Sequence, residues 1–99
     1  MNLLYIVQSS DSVSRKMGDE TIIMLSPESH LLTLNETATL IWEAADGVTP
    51  LDTIVTDKVC EVYAVDYETA YADALMIVEA LAQKRVLNIS GSPFLNDNR

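Results

Sequence analysis

Cysteine is almost absent. Cys60 is the single thiol, which excludes a disulfide framework and a multi-thiolate metal site within one copy. A reduced, cytoplasmic setting is the expectation. Three glycines and three prolines exclude collagen-like and low-complexity chains. Basic residues are scarce too: six Lys and Arg stand against fifteen Asp and Glu, a net charge of -9. Phosphate contacts need clustered cations, so nucleic acid is not an expected partner. No apolar run approaches the roughly 20 residues that span a bilayer, and no membrane partner is expected. The start, Leu3-Leu4-Tyr5-Ile6-Val7, lacks a basic flank and is too short for a secretory segment.

What remains is a chain of 99 residues, 48% of them apolar. That length suits one domain, and the apolar fraction excludes a wholly disordered chain.

The first third reads as strands. Val13 to Met17 and Glu20 to Leu25 flank Gly18-Asp19, a two-residue connection suited to a primed hairpin turn. Pro27, in Ser26-Pro27-Glu28-Ser29, fits the second position of a turn, and His30 to Leu34 completes a meander. Thr21 to Leu25 is apolar on nearly every residue, which predicts a central strand covered on both faces.

From Asn35 the period becomes helical. Asn35 suits an N-cap with Glu36 in the first turn; Ala38, Ile41, Trp42 and Ala45 follow at helical spacing, and Gly47 fits the position just past the helix. A second helix is expected from Thr49, with Pro50 at its first position and a stripe of Leu51, Ile54, Val55, Val59 and Val62. A third runs from an N-cap at Asp66 to about Lys84. Val86 to Ile89 reads as a short final strand, and 90–99 as a frayed tail. The pattern predicts an α+β domain of winged helix-turn-helix type, a three-stranded antiparallel sheet followed by a three-helix bundle.

Catalytic groups are few. His30, the only histidine, has no nucleophile signature beside it, and Cys60 has no identifiable base. Glu61 and Asp66 lack the histidine or second thiol of a metal site, and the glycines are too scattered to cradle phosphate. No enzyme, metal or cofactor is expected. The third helix is more informative. Ala70, Ala74, Ile77, Val78 and Leu81 form a core stripe, which Tyr67, Tyr71 and Leu75 widen to roughly 160°, beyond the roughly 100° needed to dock on one core. Either the helix is wedged between sheet and bundle, or its excess surface is the wall of a groove for a ligand. The strand His30 to Leu34 has no Lys or internal Pro to blunt it, so at a sheet edge it could template an incoming strand.

Leu34-Asn35-Glu36-Thr37-Ala38-Thr39-Leu40-Ile41-Trp42-Glu43, Asp46-Gly47, and Asp73 to Leu81 closely resemble the PqqD family of pyrroloquinoline-quinone (PQQ) biosynthesis and the related precursor-peptide recognition elements. The resemblance covers about residues 12–89, after an N-terminal extension of residues 1–11 that is a possible extra strand. Arg85 departs from the pattern, which commonly has a glycine there. The resemblance implies a module that binds the leader of a ribosomally made precursor peptide and presents it to a modifying enzyme, often a radical S-adenosylmethionine (SAM) enzyme. The backbone of Leu31, Leu32, Thr33 and Leu34 would pair the leader as an added strand. Tyr67, Tyr71, Ala74, Leu75 and Val78 would line the cleft beside it.

The alternative is a winged-helix transcription regulator, against which Glu68, Asp73 and Glu79 on the third helix weigh. Residues 3–7 are β-prone and too short to fold alone, so they either form a disordered or locally packed tail or pair with a sheet edge, two readings of equal weight. The third-strand edge is the first choice, within the chain or by exchange with a second copy to give a homodimer.

Overall fold

The structure is a computed structural model that describes residues 3–10, 12–25 and 30–94. Strand β1 (Tyr5–Gln8) comes first. β2 (Val13–Met17) and β3 (Glu20–Leu25) form the expected hairpin. Gly18 at its tip has φ 64°, a left-handed conformation that glycine adopts without a Cβ clash. β4 (His30–Leu34) pairs antiparallel with β3, giving a sheet of order β2-β3-β4. The turn expected around Pro27 lies outside the described residues.

Helix α1 (Glu36–Glu43) starts as predicted: the Asn35 side chain accepts from the Ala38 N–H at 2.9 Å. Its C-terminus differs from the expectation. Ala44 is the C-cap, donating to the Leu40 and Trp42 carbonyls, and Gly47 lies inside strand β5 (Asp46–Pro50) with φ 83°. A Cβ on Gly47 would sit 3.0 Å from the Phe94 Cβ, and the Phe94 N–H donates to the Gly47 carbonyl at 2.7 Å. Glycine is thus needed there for close approach as well as for its φ. The tail is correspondingly less frayed than expected, because Ser90 is in a strand and Phe94 is docked; residues 95–99 lie outside the description.

The second helix begins one residue later than predicted. Pro50 is its N-cap, with an extended ψ of 147°, because the preceding residues are held in β5 and the Leu51 N–H donates to the Leu4 carbonyl at 2.7 Å. α2 (Leu51–Ile54) continues through a π-helical segment, Val55–Cys60, into α3 (Glu61–Tyr63). Leu51, Ile54, Val55 and Val59 are buried, whereas Val62 is 56% exposed. The wider π turn advances each residue through a smaller angle, so it rotates Val62 off the stripe that a regular helix would have kept.

α4 (Tyr67–Gln83) is capped by Asp66, whose carboxylate accepts from the Thr69 N–H at 3.0 Å. Ala70, Ala74, Val78 and Leu81 are buried. Past the C-cap Lys84, Arg85 adopts φ 65°. The Arg85 N–H donates to the Ala82 carbonyl and the Val86 N–H to the Leu81 carbonyl, a Schellman closure whose left-handed position favours glycine. That conformation explains why a glycine is common where this chain carries arginine.

β6 (Leu87–Ser90) then pairs with β1, and β5 pairs with the other side of β1, giving a second sheet of order β5-β1-β6. The sequence reading did not foresee this sheet. β5 is Asp-Gly-Val-Thr-Pro, with neither alternation nor length to mark it as a strand. The N-terminal segment is therefore paired within the chain and at the centre of its own sheet, not at the β4 edge. The helices pack on one another and on both sheets, and the predicted α+β class with a three-stranded antiparallel sheet and helices stands, although β5 falls between the first two helices and β6 follows the last.

Among the described residues, the buried apolar side chains all belong to one core cluster. Trp42 lies within it at 6% exposure, its Nε1–H directed at the Val86 carbonyl 3.4 Å away. Trp42→Ala is expected to cost about 3–5 kcal/mol, most of what a small domain has at about 5–10 kcal/mol. Urea denaturation should find this variant largely unfolded or barely stable. Arg85→Gly should instead gain about 1 kcal/mol by relieving the left-handed strain, read as a rise in the same denaturation midpoint. A fall would mean that the arginine side chain contributes more than its backbone costs.

Candidate functional site

β4 has β3 on one side and, among the described residues, no strand on the other. Its side chains alternate as the pleat requires: Leu34 is buried and Leu32 half-buried against the core, while Leu31 and Thr33 are exposed on the opposite face. The edge is closed at its C-terminal end. There the Leu34 carbonyl accepts from the buried Thr39 hydroxyl at 3.3 Å. Leu31, Leu32 and Thr33 precede that contact, and along this stretch the backbone groups alternate between facing β3 and facing the edge. The His30 side chain is outside the described ones.

The predicted cleft residues of α4 divide into two groups. Ala74 and Val78 are 1% and 0% exposed, so they are core rather than wall. Tyr71 and Leu75 are half-buried at the margin of the core cluster, as is Leu32 of β4. Tyr67 is exposed and stacks on Tyr71, with ring centroids 5.6 Å apart and planes at 25°. This pair leans toward the second helix. Tyr67 borders a hollow of about 370 Å³ with Asp52, Thr53, Thr56 and Asp57. Partial burial, then the charge of Asp52, pushes both phenols above their ordinary pKa, so both keep their protons near neutrality and remain donors.

Sequence reasoning missed Asp52 as the neighbour of the tyrosines; only the packing of α4 on the second helix brings it there. It also misjudged β3. That strand is central, and Thr21 and Ile23 are buried, but Met24 is 50% exposed and Ile22 only partly covered. One face of the sheet is open. Cys60 is a half-buried free thiol at the core margin. Among the described residues no cluster of His, Cys, Asp or Glu is arranged to hold a metal ion. No helix there is long and apolar enough to cross a membrane.

Among the described residues, the open strand edge of β4 and the apolar flank of α4 beside the core are the features suited to recognition. Comparisons with known proteins give a family and a similar fold. Residues 21–87 match the family of coenzyme PQQ synthesis protein D, and the chain belongs to this PqqD family. The fold is similar to that of TbiB1, solved in complex with the TbiA(beta) leader peptide, with a TM-score of 0.73 and 27% identity. That likeness covers 83% of this chain and 94% of the other. No curated protein matches the chain.

Two carboxylates brace the elements around the site. Asp46 accepts from the Val48 and Thr49 N–H groups, which hold it below its ordinary value of 3.8. Asp66 is lowered from the same value by the Thr69 N–H and then by its hydroxyl. A depressed carboxyl contributes stability that is complete above its unfolded value and lost as pH falls through the folded one. Stability should therefore decline as pH drops from 3.8 through these lowered values. Asp46→Asn combined with Asp66→Asn should flatten that decline in urea titrations. An unchanged acid slope would show that other carboxylates carry it.

Proposed function

We propose that this protein is a non-catalytic adaptor that binds the leader of a ribosomally made precursor peptide and presents it to a modifying enzyme. The leader adds as a strand to β4, through the backbone of Leu31 to Thr33. Its inward side chains meet Leu75 and Tyr71, with Tyr67 at one end and Ala74 and Val78 behind. The enzyme is of the radical SAM type, as in PQQ biosynthesis, and works on the peptide that the adaptor holds. The observation that carries this reading is the unblunted edge of β4: an apolar strand, anchored through one face, whose free backbone groups suit strand addition. TbiB1, similar over most of its length, was solved with a leader peptide. A DNA-binding reading fares worse, because Glu68, Asp73 and Glu79 are all exposed on α4 and would face phosphates of like charge.

Isothermal titration with the leader of a short precursor encoded beside the gene should give micromolar or better affinity, about -8 kcal/mol. Leu75→Glu and Tyr71→Glu should each weaken it at least about tenfold, or about 1.4 kcal/mol, with the melting transition still cooperative. Unchanged affinity in both folded variants would overturn the cleft; no binding by the wild type would overturn the adaptor.

A further inference from the structure

The β2-β3-β4 sheet turns one face to the core, and among the described residues nothing covers the other. In the register of the sheet, Val13 pairs with Met24 and Met24 with Leu31. These three side chains form one row across the strands, exposed by 67%, 50% and 63%. Arg15, Ile22 and Thr33 form the next row. Val13, Arg15, Ile22, Met24 and Leu31 border a shallow hollow of about 240 Å³ with Ser14. That volume suits single side chains rather than a docked helix, which is about 10 Å across. No acidic residue lines it, although the chain carries fifteen. The row runs to the open edge of β4 and ends there with Leu31.

Those observations name an occupant. A strand added to β4 places alternate side chains on opposite faces. One set faces the core side; the other continues the row from Leu31. We infer that the protein reads an extended peptide on both faces, with Leu31, backed by Met24 and Val13, forming a second subsite. It takes a large aliphatic or aromatic side chain of the parity opposite to that entering the α4 cleft. The subsite rests on the strand addition proposed above. Directly opposed residues on adjacent strands have Cβ atoms about 5 Å apart, so Leu31 makes the contact. Met24, unbranched and flexible, adapts to what passes over it. An adaptor built this way gains specificity from a face that its helices do not touch.

The test is selection of a displayed library of random peptides on the full-length protein, on Leu31→Ser and on Met24→Ser. Both side chains are exposed, so the fold should tolerate these changes, and melting curves check that it does. On the wild type, enriched peptides should carry large apolar residues at both parities of one extended stretch. On the folded variants one parity should lose that preference while the other keeps it. A wild-type-selected peptide should bind Leu31→Ser up to about fivefold more weakly, the weight of one cross-strand pair. Peptides apolar at a single parity, or an unchanged preference on both variants, would overturn the second subsite and leave the adaptor standing. If no peptide is enriched, strand addition itself fails, and the subsite with it.

Discussion

Trp42 is the junction on which the architecture depends. Its ring is buried in the common core and its indole N–H points at the Val86 carbonyl, at the start of the run into β6. Its own carbonyl accepts from the Gln8 side chain at 2.9 Å, at the end of β1. One residue of α1 therefore reaches both the central and an outer strand of the second sheet. Ile6, Leu87 and Val86, all essentially buried, complete that side of the core. Each sheet alone has only three strands, and such small sheets need a packed face to persist. The helices supply it to both at once.

That arrangement keeps β4 free. An apolar N-terminal strand has every reason to seek a partner edge, and β4 offers one. The chain instead sets β1 between β5 and β6, where both of its sides are paired and Ile6 is buried. β4 remains anchored by Leu34 and Leu32 on one face and by β3 on one side, and its far end is sealed by Thr39. A strand already paired on one side is in the extended geometry that strand addition requires, so less ordering entropy would be lost when a peptide pairs with it.

The motifs of short range were legible. Asn35 and Asp66 cap their helices, Gly18 turns its hairpin, and Ala70, Ala74, Val78 and Leu81 of the predicted stripe are buried with Ile77 partly covered, because capping chemistry and periodicity act within a few residues. Arg85 was legible as a departure, and the left-handed Schellman position supplies its reason. In the candidate site, the half-buried flank of Tyr71 and Leu75 follows helical spacing, whereas the edge position of β4 was only a condition in the sequence that the strand order had to supply.

What the sequence could not determine is set by distant contacts. Asp-Gly-Val-Thr-Pro is a strand only because β1 lies beside it, and Gly47 serves a close approach by Phe94 rather than the end of α1. Val62 left its stripe because a π turn changed the phase of the helix. Ala74 and Val78 share a wheel face with the tyrosines, but packing decided that they form core while Tyr67 stays exposed beside Asp52. Composition made β3 look covered on both sides. Only the absence of a layer over Met24, Val13 and Leu31 exposed its second face, since hydrophobicity states what a residue prefers to bury, and the tertiary fold decides whether anything is there to bury it.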